Sequence, residues 1–143
     1  MTYAPRSRAA RASGSYANIG LETEVMGASP ERLISLLFRG AQTALAQARH
    51  HLHNGNIAER GKALSKAIDI VDSGLKASVD SARGGEVARH LIAAYDLVIR
   101  DLMQANLHQD ESKLDEAKIL LDNLAEAWQI AADPQFGASV TSL

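Results

Sequence analysis

The stretch SPERLISLLFRGAQTALAQARHHLHNG, residues 29–55, holds a complete set of signals for one amphipathic helix. Ser29 offers a side chain that caps the first turn, and Pro30 has the fixed backbone angle that suits the first helical position. Apolar residues then recur three and four positions apart until Asn54 and Gly55, which provide the left-handed backbone of a helix end and turn. A helix with one apolar face needs neighbours to cover it.

Three further segments show the same period and similar boundaries. A second helix is predicted from about Ile57 to Ser81, and a third begins at Glu86 after a pair of glycines. A fourth follows a short polar loop and ends at Asp133-Pro134. Because the loops are only a few residues long, consecutive helices must run antiparallel.

The predicted fold is therefore all-α, an antiparallel up-and-down four-helix bundle. We expect three parts along the chain: a mobile N-terminal arm or short cap helix at residues 1–28, the bundle at residues 29–133, and a C-terminal tail at residues 134–143. Glycines interrupt the arm, and its early part has no apolar period, which is typical of a segment that does not fold by itself.

Composition narrows the class of protein. The chain has 143 residues, no cysteine and a net charge of -2, and 46% of its residues are hydrophobic while only 4% are aromatic. Small aliphatic side chains favour closely packed helices, and a chain without cysteine has no disulfide framework or thiolate metal site. The near-neutral charge argues against a nucleic-acid partner or a polybasic membrane anchor, and no apolar run reaches membrane-spanning length. We expect a cytoplasmic protein.

The charge is distributed unevenly along the chain. The first 28 residues hold Arg6, Arg8 and Arg11 against Glu22 and Glu24, a net charge of +1, whereas residues 110–133 hold seven acids against two lysines. Opposite charges attract, so the arm and the last helix are candidates for a contact. The sequence assigns no other role to the three arginines.

No set of side chains indicates catalysis. A carboxylate-bridged dimetal bundle needs Glu-x-x-His pairs, and no glutamate here has a histidine three positions later. His50, His51 and His53 could hold a metal weakly, but histidines in a last turn also suit the negative end of the helix dipole, and we prefer that interpretation. The segment GNIAERGKA, residues 55–63, lacks the spacing and the hydroxyl of a phosphate-binding loop. We predict no enzyme activity, no cofactor and no metal.

Several helices carry more apolar residues than one core-facing stripe requires. The additional positions are Ile34, Leu36, Ala67, Ile70, Ile92, Ile99 and Met103. Such positions either belong to a core that two neighbouring helices contact, or line a groove that receives an amphipathic helix of a partner. Both interpretations stay open for each residue, and the apolar width over several helices favours a groove.

Four blocks of sequence occur in a recognisable order: YANIGLETEVMGASPERLISLLFRGA, GKALSKAIDIVDSGLKASVD, GGEVARHLIAAYDLVIRDLMQANL and LLDNLAEAW. Together they closely resemble the flagellin export chaperone family of bacteria, FliS, over residues 16–128. Leu97 is a departure, because many relatives have a second aromatic residue there. Members of that family are antiparallel four-helix bundles that bind the C-terminal segment of flagellin in the cytosol and deliver it to the flagellar export gate.

The resemblance implies a flagellin-binding surface and a cap that covers it. Tyr16 corresponds to the tyrosine of the family's N-terminal segment, which folds over the flagellin-binding surface in the free chaperone. The residues expected to bind flagellin or to form the cap are Tyr16, Ile19, Leu21, Leu33, Leu37, Ala67, Ile68, Val71, Leu91, Tyr95 and Val98.

The resemblance thus predicts an export chaperone that prevents premature polymerisation of flagellin and aids flagellar type III secretion. The expected partners are the flagellin C-terminal region and, through the complex, the flagellar export gate, with room for another flagellar regulator. The chaperone itself is expected to be a monomer or a weak dimer, without nucleic-acid binding or membrane insertion. The residues also allow an alternative, an oligomerising helical adaptor bundle without flagellin binding, whose wide apolar stripes pair with a second copy.

Overall fold

The computed structural model of the chain describes residues 27–79 and 81–132, with the backbone alone at residues 81–83. Over these ranges the chain forms four helices and no strand, and an irregular helical segment continues the second helix. The helices are α1 (Pro30–His53), α2 (Ile57–Asp69), α3 (Ser81–His108) and α4 (Glu111–Ala132). The predicted all-α class is confirmed.

Polar contacts between α1 and α4 show that these two helices are antiparallel. In order along α1, the bonds join Ser35 Oγ to Trp128 Nε1 (3.3 Å), Gln42 Nε2 to Asp122 Oδ1 (2.9 Å) and Arg49 Nη1 to Glu111 Oε1 (3.0 Å). Residue numbers therefore rise on one helix as they fall on the other. Short connections at residues 54–56 and 109–110 give the consecutive pairs the same arrangement, as an up-and-down bundle requires.

The core between the helices is almost entirely aliphatic. Its largest fully buried side chains include Leu36, Leu37, Leu64, Ile70, Leu75, Leu102, Leu114 and Leu121. Each contributes roughly 1.5–3 kcal/mol by leaving water, so their sum is the main stabilising contribution. Phe38 and Tyr95 add one tilted ring contact, with ring centroids 6.4 Å apart.

The start and end of α1 are those predicted from the sequence. The Ser29 hydroxyl accepts a hydrogen bond from the Arg32 main-chain N–H at 3.2 Å, which satisfies one of the N–H groups left without a partner in the first turn. At the other end the helix stops at His53, and Gly55 takes a positive φ of 69°. Local capping chemistry therefore sets both boundaries of this helix.

The second helix differs from its prediction. A regular helix was expected as far as Ser81, but α2 ends at Asp69, and the chain continues as a π-helical segment, Ile70–Leu75, and a short 3-10 turn, Lys76–Ser78. The Ser78 hydroxyl donates to the Gly74 carbonyl at 2.6 Å, so a side chain competes for an oxygen that a regular helix would use. The sequence period alone could not show this, because the wider turn still buries Ile70, Val71 and Leu75.

The third helix also begins differently from its prediction. Its backbone is already helical at Ser81, and the two glycines interrupt the helix rather than precede it. Gly85 has φ 54° and ψ -125°, outside helical geometry, while a Cβ added to Gly84 would lie 2.5 Å from the Cβ of Ala88. The predicted boundary at Glu86 is therefore the end of a kink within α3.

The predictions for both ends of the chain fall outside the described residues. These ends comprise residues 1–26, which hold most of the predicted arm, and residues 133–143, which hold the predicted tail. Three of the predicted cap or binding residues belong to the first range: Tyr16, Ile19 and Leu21.

Replacing Gly85 with alanine is expected to lower the free energy of unfolding by about 1–3 kcal/mol, because its backbone angles are open essentially to glycine alone. Gly61→Ala is the matched control: it lies within α2, its added Cβ would meet nothing within 4 Å, and we expect a gain of about 1 kcal/mol. Urea unfolding followed by circular dichroism measures both. Equal changes in the two variants would contradict the assignment of a glycine-dependent kink.

Candidate partner-binding grooves

An open groove with a volume of about 590 Å³ follows the seam between α2 and α3, and we call it the seam groove. Its apolar lining residues are Leu64, Ile68, Ile99, Met103 and Leu107, and its polar ones are Ser65, Asp96, Arg100, Gln104 and Asn106. Met103 and Leu107 are 59% and 76% exposed, which is unusual for side chains of that size. The groove therefore presents apolar surface to solvent between polar edges.

A second groove of about 400 Å³ lies at the end of the bundle where α1 begins and α4 ends, and we call it the end groove. Its lining residues are Ile34, Leu75, Ser78, Val79, Gly84, Val87, Ala88, Leu91, Tyr95 and Trp128. All four helices or their continuations contribute, and Ser78 is the one aliphatic hydroxyl among mostly apolar groups. Such a surface suits an apolar segment better than a charged ligand.

Polar contacts tie α2 to α3 at both ends of the seam groove. At one end the buried Arg60 donates from Nε to Asn106 Oδ1 (3.2 Å) and from Nη2 to the Asn106 main-chain oxygen (3.3 Å). At the other end, in the continuation of α2, Lys76 Nζ lies 2.6 Å from Asp96 Oδ1 and 3.9 Å from Asp72 Oδ1. The two helices are thus joined at both ends of the groove, and the groove between these contacts remains open to solvent.

The ion pair with Asp96 changes the pKa of Lys76. The hydrogen bond to Asp96 is the main cause that raises the pKa of Lys76 above its ordinary value, and partial burial opposes it. The lysine therefore stays charged at neutral pH. Because both side chains are partly exposed, the pair contributes little to stability by itself.

Tyr95 connects the end groove to the core. Its ring packs against Phe38, it is 5% exposed, and burial raises the pKa of its phenol to about 12. The phenol is therefore neutral throughout the physiological range. A partner in the end groove would meet the edge of a large, uncharged side chain there.

The structure divides the predicted binding residues between surface and core. Ile68 lies in the seam groove, and Leu91 and Tyr95 lie in the end groove. Leu33 sits at the edge of the core with 9% exposure. Four others have no exposed surface: Leu37, Ala67, Val71 and Val98. A partner cannot touch those four unless the helices separate.

The additional apolar positions divide in the same way. Ile34, Ile99 and Met103 line a groove, as the groove interpretation of the wide stripes requires. Three others are core residues with almost no exposure: Leu36, Ala67 and Ile70. Ile92 is half-buried and is not among the lining residues of either groove.

Sequence reasoning missed Val87 and Leu107 as groove residues. The signal was present as a strict interval of four along α3, in the row Val87, Leu91, Tyr95, Ile99, Met103 and Leu107, all of which line one groove or the other. It also missed Arg60 and Lys76, because their roles depend on residues of another helix.

The described residues offer little for other kinds of site. His50 and His51 lie beside the amides of Asn54 and Asn56, and His53 Nε2 is 2.7 Å from Glu111 Oε1. Within residues 27–79 and 81–132, no group of three or more His, Asp or Glu side chains is placed to hold a metal ion. None of the described helices is long and apolar enough to cross a membrane.

The fold and the two grooves define the class of protein: a helical bundle with two apolar grooves that are open to solvent between its helices. The model of a family described as flagellar protein FliS matches residues 12–135. The chain belongs to the FliS family, so the resemblance found in the sequence is confirmed.

Three relatives illustrate the match. The chain is 49% identical to the flagellar secretion chaperone FliS of Salmonella typhimurium over 125 residues, which cover 87% of this chain and 93% of that protein. It is 40% identical to the flagellar secretion chaperone FliS of Escherichia coli over 121 residues, 85% and 89% of the two chains. It is also 40% identical to the flagellar secretion chaperone FliSB of Pseudomonas aeruginosa over 120 residues, 84% and 94% of the two chains.

The raised pKa of Tyr95 predicts a specific loss of stability at high pH. Its folded-state pKa of about 12 lies above the ordinary value of 10.0. The contribution of the neutral phenol to the free energy of unfolding is therefore constant below about pH 10. It is lost as the pH rises towards 12, by roughly 1.4 kcal/mol per pH unit. Urea unfolding of the wild type and of Tyr95→Phe at pH 9 and pH 11 (about one unit either side of that threshold) measures the loss. The difference in unfolding free energy between the two proteins should change with pH, and a constant difference would contradict the burial of the phenol.

Proposed function

We propose that the chain is a cytoplasmic export chaperone that binds the C-terminal segment of flagellin in the seam groove and the end groove. The observation that carries the proposal is the row of six apolar α3 residues that line both grooves, three of them well exposed: Val87, Met103 and Leu107. The chain belongs to a family whose members are named flagellar secretion chaperones, and this supports a flagellar protein as the partner.

The proposed mechanism is burial without bond chemistry. A segment that polymerises through apolar surfaces is kept apart from other copies if those surfaces are covered by matching ones. Each well-buried Leu or Ile contributes roughly 1.5–3 kcal/mol, so a few such anchors offset the cost of ordering a flexible segment. The complex then carries flagellin to the flagellar export gate for type III secretion. Another flagellar regulator could compete for the same grooves.

The N-terminal arm is proposed as a cap for these grooves in the free chaperone. Tyr16, Ile19 and Leu21 are apolar residues in an arm that glycines interrupt, and a tether of this length supplies an effective concentration on the order of millimolar. Weak contacts therefore suffice to cover the grooves. The cap and flagellin would compete, since both need the same apolar surface.

Replacing Met103 with aspartate is expected to weaken binding of the purified flagellin C-terminal segment by at least about tenfold, because a charge would replace an apolar anchor in the seam groove. Ile119→Asp on α4 is the matched control, since Ile119 is 62% exposed, close to the 59% of Met103, but lines neither groove. Calorimetric titration measures the affinities. Both substitutions should leave stability nearly unchanged, because both side chains face solvent.

Two results would contradict the proposal. If both variants lose affinity equally, the segment does not bind in the seam groove. If the wild type binds no flagellin segment and sediments as a stable dimer at micromolar concentration, the oligomerising adaptor is the better interpretation.

Removing residues 1–26 is expected to tighten binding of the flagellin segment about elevenfold, because a cap that is closed about ten times in eleven leaves about one molecule in eleven able to bind. Replacing Tyr16, Ile19 and Leu21 together with alanine in the full chain should have a similar effect, whereas replacing Arg6, Arg8 and Arg11 should not. Titration calorimetry compares all four proteins. Weaker binding after removal would mean that the arm grips the ligand.

A further inference from the structure

Arg100 is a cation in the wall of the seam groove, and among the described residues it forms no ion pair with the acid that its sequence spacing favours. Asp96 lies four residues before it on α3, and an acid followed by an arginine at that spacing is a favourable pair on a helix surface. The carboxylate of Asp96 is instead 2.6 Å from Lys76 Nζ. Within the described residues Arg100 forms no ion pair, and its side chain is exposed.

The irregular continuation of α2 places Lys76 where it forms an ion pair with Asp96. Lys76 follows directly after the π-helical segment Ile70–Leu75. Each residue added to a turn rotates the following side chains by about 100° relative to a regular α-helix, so the direction of Lys76 depends on this segment. The π-helical turn therefore has an electrostatic consequence in the groove.

The neighbouring acid on α3, Asp101, interacts with Arg100 electrostatically, but the two form no ion pair within the described residues. Asp101 is a buried carboxyl: burial is the main cause that raises its pKa, Glu116 raises it further, and the charges of Lys113 and Arg100 lower it. Among the described residues that line the seam groove, the other charged one is Asp96, which is paired with Lys76. The apolar floor of the groove is therefore flanked by an available positive charge.

We propose that Arg100 is a specificity determinant of the seam groove, which pairs with an acidic side chain of the bound flagellin segment and is available to do so because Lys76 holds Asp96. This inference rests on the proposed function, since it takes the flagellin segment as the occupant of the groove. It adds the chemistry of that occupant: apolar residues for the floor and a carboxylate next to them for the wall. Opposite charges at the rim of an interface improve selectivity and the rate of association.

The test measures the affinity of the full chain for the purified flagellin C-terminal segment by calorimetric titration. Arg100→Gln should bind about fivefold more weakly at low salt, and the difference from wild type should shrink as salt screens the pair. Arg39→Gln, an exposed arginine on α1 that lines neither groove, is the matched control and should bind like wild type.

Variants of the ion pair test the mechanism without touching Arg100. Lys76→Met releases Asp96 to pair with Arg100 and should also weaken binding about fivefold. The double variant Lys76→Met/Asp96→Asn removes the competing carboxylate and should return to within about twofold of wild type. Circular dichroism and thermal melting check that each variant folds, and Asp96→Asn alone, which keeps a polar group at that position, should bind within about twofold of wild type.

The outcomes separate the two proposals. Normal binding by Arg100→Gln overturns the role of Arg100 while leaving the grooves as the flagellin site. If Lys76→Met loses affinity and the double variant does not regain it, the ion pair only supports the structure, and Arg100 does not depend on it to stay unpaired. Failure of the wild type to bind the flagellin segment overturns the proposed function and this inference with it.

Discussion

The close packing of α2 on α1 is the constraint from which the rest of the structure follows. α2 and its continuation pack extensively on α1 and less extensively on α3. Alanines of both helices, such as Ala41, Ala48, Ala63 and Ala67, are buried, and small side chains of this kind let neighbouring helices pack closely. Most of the apolar face of α2 packs against α1, so little of it is left to pack against α3. Polar contacts join the seam at its ends, and the groove between them remains.

The sequence predicted the features that depend on neighbouring residues. Ser29 and Pro30 start α1, Gly55 ends it, and short loops force antiparallel neighbours, all of which the structure confirms. These signals are local, because a cap or a turn requires only a few adjacent side chains and a backbone angle. The class of fold followed from four such helices in one domain.

The division between core and groove could not be predicted in the same way. Leu37 and Ile99 are both aliphatic residues on an apolar helix face, yet Leu37 is fully buried and Ile99 lines the seam groove. Periodicity identifies the face of a helix, but the neighbour that covers it is set by packing between distant segments. The π-helical segment could not be predicted for a related reason, since its buried residues satisfy the ordinary helical period.

The four-residue spacing of the apolar row on α3 has a consequence for how a segment bound as proposed would leave. Four residues exceed one turn of an α-helix by about 40°, so the row from Val87 to Leu107 winds through roughly 200° around the helix axis. A segment that followed the whole row would bend around α3, and it could not be withdrawn along a straight line. It would leave one groove at a time, so that the first stretch would be free while the second was still bound.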